Sequence, residues 1–406
     1  MNLALFSNFY THSLPGLPVL MTIFDLIFVP LALLYLIKSS ARVGIPTNRN
    51  SEQIFVIYFL ILILFVTLIP YIYFESKLGI KNLEDCINLV YALVIFIMFA
   101  SFFNADETRV HKAIKFWYFG AILAGIFSVI TILGLAPSHW RLGVRISGSF
   151  KTVNQLQSFV GPALIFGIYF FLESKKYFFK VLHFLCLMLI ILALLATGSR
   201  SSILNILIAI IFINHISLIR FPQVKRTFIL LFVVEVVALS AITLFVVSFL
   251  NGTQIHFYDF DLTNIIRIIN KLQEIATSGD LGPRGEQWAY VIYNFFYYPF
   301  GIGHGNFQAV VGIKNEVHNT FLGVLIENGW VALVALTILY IVLPLSCLRR
   351  LRVDKKLSLL FIYLHIEMIL YQLTNYGLRQ RIFWIEFALV LSYIYHLRIK
   401  NNAKIV

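Results

Sequence analysis

Three stretches of the chain combine residue types that could bind an anion and move a proton. Pro283-Arg284-Gly285-Glu286 precedes an aromatic run, glycines crowd 301–306, and Glu316-Val317-His318-Asn319 precedes a long apolar segment. Arginine presents a planar fork of N–H donors that fits phosphate oxygens, and histidine can accept a proton near neutral pH. Residues 283–329 therefore form a candidate site for chemistry on a phosphate-linked substrate.

A surface helix is predicted to begin at Pro283, because proline suits the first helical turn. Arg284 would lie in that turn, where free backbone N–H groups and the helix dipole favour an anion. Glu286 either holds Arg284 or acts as a base, and the sequence leaves both roles open. We expect the helix to end by Pro299 and to bury the face formed by Trp288, Ile292, Phe295 and Phe296.

A second candidate anion site lies upstream, in the turn Thr197-Gly198-Ser199-Arg200-Ser201-Ser202 between two apolar runs. Gly198 allows a sharp reversal, and the hydroxyl side chains can cap the next helix. Arg200 in so short a turn would have a fixed position. The alternative is an ordinary capped hairpin whose arginine reaches lipid headgroups.

His318 and Asn319 stand at the predicted start of a span. There His318 could act as a general base, or it could be a capped, hydrogen-bonded residue without a chemical role. Glu327 falls deep in the same span, so we expect a structural role without contact to His318. The glycine-rich turn lacks a preceding strand and a Gly-Lys-Ser/Thr sequence, which argues against a nucleotide site. We interpret it as a flexible connection in which His304 is incidental.

Composition indicates a multi-pass membrane protein. Of 406 residues, 60% are hydrophobic and 13% charged, against about 45–50% and about 25% in soluble domains. The net charge of +13 does not indicate nucleic-acid binding, because the basic residues lie in short clusters between apolar runs. The three cysteines show no metal or redox spacing.

The predicted fold class is an all-α bundle of about eleven or twelve transmembrane helices with one large external loop. Residues 1–250 would hold helices one to eight, residues 251–319 the loop with short amphipathic helices, and residues 320–406 the last three helices and a tail. One loop helix is predicted over Leu262–Ile275. The predicted spans are Leu17–Ile37, Ile54–Phe74, Cys86–Phe103, Ile114–Leu135, Val153–Leu172, Val181–Ala196, Ser202–Ile219, Phe228–Leu250, Thr320–Leu345, Leu357–Thr374 and Ile382–Leu397.

The distribution of positive charge predicts the orientation. Alternate connectors hold about 20 of the 32 Lys and Arg residues, and the richer set should be cytoplasmic. The long connector and the amino terminus would then be external, and the carboxyl terminus internal. On the external side the positive residues are mainly arginines near span ends, which could form a ring for a lipid pyrophosphate or could contact headgroups: Arg141, Arg145, Arg200, Arg284, Arg379 and Arg381.

A family resemblance rests on short motifs in a fixed order. They are Thr197-Gly198-Ser199-Arg200, Arg284-x-x-x-Trp288, Pro299-x-Gly301-x-Gly303-x-Gly305 with Phe307, His318-Asn319-x-Phe321-Leu322 and Glu327-x-Gly329. Together they resemble the O-antigen ligase and polymerase family of bacterial membrane glycosyltransferases. The resemblance covers roughly residues 195–345 and the general layout of many spans with one large external loop.

The resemblance implies an inverting glycan transfer at the periplasmic face of the inner membrane. The donor would be an oligosaccharide on undecaprenyl pyrophosphate, and no metal or cofactor would be needed. Arg200 and Arg284 would bind the pyrophosphate and His318 would activate the acceptor. The further substrate-binding candidates rest on the predicted side of the membrane and on charge or position, not on the resemblance: Arg141, Arg145, Arg379, Arg381, Glu286 and Asn319.

Three functions remain open at this stage. A polymerase would extend one lipid-linked glycan with another, with a chain-length regulator protein as a candidate partner, and the compact external loop favours it. A ligase would transfer the glycan to lipid A-core. A polysaccharide flippase would explain ionisable residues inside spans, such as Glu367 and Glu386, but the sequence shows no repeat symmetry.

Overall fold

The computed structural model describes residues 27–32, 34, 54, 56–59, 61–63, 65, 80–142, 145–220, 283–312, 317–349, 354–378 and 380–402. Within these residues, seven helices are long and apolar enough to cross a membrane. The all-α membrane bundle is thus confirmed, while most of three predicted spans and the Leu262–Ile275 helix lie outside the described residues.

The bundle consists of long helices with a small cap and one short hairpin. The helices are α1 (Ile80–Asn104), α2 (Glu107–Ile132), α3 (Val153–Glu173), α4 (Tyr177–Ala196), α5 (Arg200–Arg220), α6 (Pro283–Asn294), α7 (Phe307–Val311), α8 (Thr320–Leu348), α9 (Lys355–Thr374) and α10 (Arg381–Asn402). The strands β1 (Arg141–Leu142) and β2 (Arg145–Ile146) pair antiparallel in the connection from α2 to α3.

Successive long helices run antiparallel, so the connectors gather at two ends. At the basic end, formed by residues 105–106, 174–176, 349 and 354, Lys356 Nζ lies 2.7 Å from Glu173 Oε1. The opposite end is formed by residues 133–142, 145–152, 197–199, 317–319, 375–378 and 380. We call it the motif end, because the predicted site motifs gather there.

Burial differs sharply among the helices. In the most apolar stretch of α10, 83% of the residues are buried, whereas in that of α4 only 22% are buried. Aromatic residues of α10 fill the centre: Trp384 is fully buried and Tyr393 stacks on Phe361 with ring centroids 4.2 Å apart. We conclude that α10 is central, and that α4 presents an apolar face to its surroundings, as expected at a lipid boundary.

The cap comprises α6, α7 and the glycine-rich turn, and it packs on the first half of α8. Its core contains Val291, Ile302 and Phe307 against Leu325 and Ile326. The predicted buried face of α6 is only partly correct. Trp288 and Phe295 pack against this core, but Ile292 and Phe296 are exposed. In α6 the neighbouring Val291 takes the buried position instead of Ile292, and a 3₁₀ turn over Phe295–Tyr297 changes the helical register before Phe296.

Candidate functional site

The β-hairpin holds the turn that precedes α5. Arg145 Nε donates to the Thr197 carbonyl oxygen at 2.9 Å. Inside the turn, the Thr197 hydroxyl lies 2.7 Å from the Ser202 hydroxyl, and Gly198 adopts a φ of 58°. This left-handed glycine ends α4, and α5 begins at Arg200, inside the predicted turn and two residues before the predicted span start at Ser202.

Arg141 and Arg145 both bind helix ends. Arg141 Nη2 donates to the Thr131 carbonyl at 2.7 Å, in the last turn of α2, and Arg145 serves the end of α4 in the same way. Cations stabilise helix carboxyl ends, where backbone carbonyls lack partners. Both arginines therefore have a structural role besides the phosphate binding predicted for them.

A hydrogen-bond path leads from the turn into the bundle. Ser201 Oγ donates to Gln157 Oε1 at 2.7 Å, which ties the start of α5 to α3. Tyr371 of α9 then donates to the Asn154 carbonyl at 3.1 Å, and Gln380 Nε2 donates to the Tyr371 hydroxyl. The starts of α3 and α5, the end of α9 and the segment before α10 are thus joined at the motif end.

The start of α8 joins the same network. Asn319 Oδ1 accepts from the Leu322 N–H at 3.0 Å and so caps the helix, while Asn319 Nδ2 donates to the Leu373 carbonyl at 3.1 Å. The next residue, Thr320, donates to the Asn375 carbonyl at 2.8 Å. Asn319 therefore fixes the backbone that carries His318, which is partly exposed just outside the helix.

The remaining predicted site residues are described to different extents. Arg284 lies in the first turn of α6, as predicted, and Glu286 is exposed there. Arg381 begins α10 with its guanidinium 5.6 Å from the ring centre of Tyr91, within cation–π range. Arg379, Glu316 and the side chain of Arg200 lie outside the described residues.

The glycine-rich turn docks on a kink in α8, which differs from the flexible connection expected. Gly329 has φ 79° and ψ 173°, so the helical ladder is interrupted there. The N–H groups of Ile302 and Gly303 instead donate to the carbonyls of Ile326 and Glu327, at 2.9 and 2.8 Å. A Cβ on Gly329 would collide with the Pro299 carbonyl, which explains glycine at the kink.

The same docking buries a polar cluster that the sequence did not predict. His304 Nδ1 lies 3.2 Å from Glu327 Oε2, and the Tyr376 hydroxyl donates to that oxygen at 2.9 Å and lies 3.1 Å from His304 Nδ1. Since Tyr376 donates to Glu327, the proton between His304 and Tyr376 belongs on Nδ1. His304 is thus not incidental, and the contact of Glu327 is with His304. Two sequence features indicated this close approach: the regular glycines of the turn over residues 301–305 and the Glu327-x-Gly329 motif in α8.

Sequence reasoning also missed Gln287. It lies three residues after Arg284 and therefore on the same side of α6. The Gln287 side chain is fully buried, and both its polar atoms lack a hydrogen-bond partner among the described residues. Burial raises the pKa of the nearby Tyr290 phenol, with Tyr298 adding to the shift, so Tyr290 stays neutral near pH 7. The buried polar group on the Arg284 side of α6 is thus one neutral amide.

Comparison with known proteins agrees with the motifs. No protein of curated function matches the chain. Residues 184–337 match the family model described as O-antigen ligase. The matched residues run from α4 through the Thr197–Ser202 turn, the cap and the kinked first half of α8. The match confirms the resemblance to the O-antigen ligase and polymerase family, and it supports a membrane glycan-transfer role of that type in surface polysaccharide assembly.

Proposed function

We propose that the protein transfers a glycan from undecaprenyl pyrophosphate to an acceptor hydroxyl at the motif end. One observation supports the proposal: hydrogen bonds tie the Arg145-bound turn before α5 to α3, α3 to α9, and the end of α9 to the start of α8 beside His318. The residues proposed to bind the anion and to accept the proton, Arg200, Arg284 and His318, belong to the region similar to O-antigen ligases.

The chemistry is a single displacement. The acceptor oxygen attacks the anomeric carbon, His318 takes its proton, and the bond from that carbon to the phosphate oxygen breaks. The pyrophosphate lipid leaves with the bonding electrons, and Arg200 and Arg284 neutralise its charge. Such electrostatic stabilisation is usually the largest catalytic contribution. Attack opposite the leaving group inverts the configuration at the sugar, and no metal or cofactor takes part.

The local structure supports these roles. Arg200 and Arg284 each stand in the first turn of a helix, where free N–H groups favour a phosphate. We propose that Arg141, Arg145, Arg379 and Arg381 add positive charge for the donor, and that Glu286 also belongs to the substrate-binding set. The cap provided by Asn319 holds His318 where the acceptor would enter.

The direct test is an assay in which purified protein transfers glycan from a synthetic lipid-pyrophosphate oligosaccharide. The rate is measured as release of the pyrophosphate lipid. His318→Ala and Arg284→Ala should each reduce the rate at least about 100-fold, in line with general-base and charge-stabilising groups. Lys175→Ala, an exposed change at the basic end, is the matched control. Wild-type rates in both site variants would refute the mechanism, and full activity in EDTA is expected.

Among the possible acceptors we favour a second lipid-linked glycan, which makes the protein an O-antigen polymerase. The reason is the compact connector over residues 251–319, which carries no separate acceptor-binding module. Cells lacking a polymerase would show single repeat units on lipid A-core. Bare core with long chains on the carrier would identify a ligase, and glycan trapped on the cytoplasmic leaflet would identify a flippase.

The proposed setting is the bacterial inner membrane, with the motif end and residues 251–319 in the periplasm and the carboxyl terminus in the cytoplasm. In this arrangement the first eight transmembrane helices would occupy residues 1–250 and the catalytic loop residues 251–319. The last three helices and the tail would occupy residues 320–406. The lysines of the basic end support this orientation. Reporter fusions in residues 251–282 should be active only in the periplasm, and cytoplasmic activity there would reverse the assignment.

A further inference from the structure

A small polar cavity lies inside the bundle, below the candidate site. It is lined by Ser158 of α3, Glu367 and Tyr371 of α9, and Gln380 and Glu386 beside or on α10, with apolar neighbours. Ser158 and Glu386 lie five residues inside their helices, which is roughly 7–8 Å at the helical rise. The volume open to the centre of a water molecule is about 10 Å³, so the cavity holds about one water-sized occupant.

The cavity has an excess of oxygen atoms without donors. Glu367 and Glu386 are 2% and 3% exposed. Glu367 Oε1 lies beside the Asn205 amide, which hydrogen-bonds to Glu367, whereas Glu386 Oε1 lacks a hydrogen-bond partner among the described residues. Oε1 of Gln380 also lacks a hydrogen-bond partner among the described residues, while Nε2 of the same amide donates to the Tyr371 hydroxyl. Buried polar atoms are usually satisfied, so a group of orphaned acceptors around one cavity indicates a missing partner.

Two sequence features of α3 shape the wall of this cavity. Pro162 has no N–H, so the helix gives the Ser158 carbonyl no donor, and Ser158 lines the cavity. Gly161 lets Asn205 approach Glu367, because a Cβ there would collide with the Asn205 amide and Glu367 Oε1. Asn205 hydrogen-bonds to Glu367, so the acceptors left without a donor are those of Glu386, Gln380 and the Ser158 carbonyl.

We propose that this cavity binds one dehydrated sodium ion, held by Glu367, Glu386, Gln380 and the Ser158 carbonyl. Hard cations prefer oxygen ligands, and all of these donors are oxygens. Helices interrupted inside a membrane provide backbone carbonyls for Na⁺ in the same way.

Size and charge select the ion. Mg²⁺ gives up its water shell reluctantly, and a cavity for one water-sized occupant leaves no room for that shell. One Na⁺ together with one proton would also make the carboxylate pair neutral, which reduces the cost of burying two acidic groups. The site is separate from the proposed glycan chemistry, although Gln157 connects its neighbourhood to Ser201.

The experiment uses the purified full chain in detergent, without any glycan substrate. Binding of ²²Na⁺ is measured by scintillation proximity, and thermal unfolding is followed in NaCl, KCl, CaCl₂ and choline chloride at equal ionic strength. We expect saturable ²²Na⁺ binding and a midpoint that rises with Na⁺ above its value in choline, because a ligand that binds the folded state stabilises it.

Variants locate the site. Glu386→Gln and Gln380→Met should weaken ²²Na⁺ binding at least about tenfold, which is about 1.4 kcal/mol. Glu173→Gln at the basic end should leave it unchanged. If Glu386→Gln fails to fold, ²²Na⁺ binding by Gln380→Met and the unfolding midpoints of the wild-type protein in the four salts still test the proposal. Equal midpoints in Na⁺ and choline without saturable binding, or stabilisation by Ca²⁺ alone, would overturn the proposal whatever the glycan-transfer assay shows.

Discussion

His304 and Glu327 face each other across the joint between the cap and α8, with Nδ1 and Oε2 3.2 Å apart and both side chains almost completely buried. Tyr376, from the segment between α9 and α10, hydrogen-bonds to both. One buried cluster therefore connects the glycine-rich turn, the middle of α8 and the segment leading to Arg381.

Removing a member of this cluster should destabilise the protein. His304→Ala leaves the buried carboxylate of Glu327 with one partner fewer, which costs about 1–3 kcal/mol. Tyr376→Phe removes the hydroxyl bonds and keeps the ring packing, so a smaller loss is expected. Thermal unfolding in detergent measures both. His139→Ala, an exposed histidine, is the control, and an unchanged midpoint in His304→Ala would contradict the prediction.

The kink in α8 can be tested with two glycines of similar conformation. Gly329 and Gly312 have φ values of 79° and 77°. A Cβ on Gly329 would meet the backbone of Pro299 and Phe300, whereas a Cβ on Gly312 would meet nothing within 4 Å. Gly312→Ala should therefore cost only about 1–2 kcal/mol of left-handed strain.

Gly329→Ala adds the collision to the same strain, so it should lower folded yield and thermal stability clearly below those of Gly312→Ala. Size-exclusion profiles and unfolding midpoints give the comparison. Equal folded yields and unfolding midpoints of the two variants would mean that the cap does not contact α8 closely at Gly329.

Arg145 offers a test of the turn before α5. Arg145→Lys keeps the charge but loses the Nε–H bond to the Thr197 carbonyl. A bond from a charged group is worth about 1.5–3 kcal/mol, so donor KM should rise at least about tenfold if the turn holds the pyrophosphate. Steady-state kinetics against donor concentration checks this. A purely structural Arg145 would lower the unfolding midpoint and leave donor KM unchanged.

The Asn319 cap should control His318 through its position. Asn319→Ala loses both the cap and the bond to Leu373, while Asn319→Asp keeps the capping oxygen and loses only the donor. The first change should cost about 0.5–2 kcal/mol of stability from the cap alone. We expect kcat to fall in both variants, more in Asn319→Ala, when transfer is measured at saturating donor.

The long spans could be predicted from the sequence because their signal is local. For α3, Val153–Leu172 was predicted and Val153–Glu173 is observed, and α9 begins two residues before its predicted start and ends at the predicted Thr374. Apolar runs of this length permit little besides a span. The turn before α5 also followed from its glycine and hydroxyl residues, although the helix begins at Arg200, two residues before the predicted start at Ser202.

The contacts between motifs could not be predicted in this way. His304 and Glu327 meet only because Gly329 interrupts α8 and frees carbonyls for the turn, and no periodicity reports such a pairing of distant segments. The exposure of Ile292 could not be predicted either. The spacing of apolar residues in α6 indicates an apolar face, but it does not say which of these residues contact α8. Gln287 was hidden because a buried glutamine looks like an exposed one in sequence.

The backbone pairing at the kink also divides the molecule dynamically. The amides of Ile302 and Gly303 are protected only while the cap rests on α8, because their acceptors belong to that helix. They should exchange hydrogen for deuterium together with the first half of α8, and separately from α10 in the bundle centre. We therefore expect the cap and the first half of α8 to open and close as one cooperative unit, distinct from the centre of the bundle.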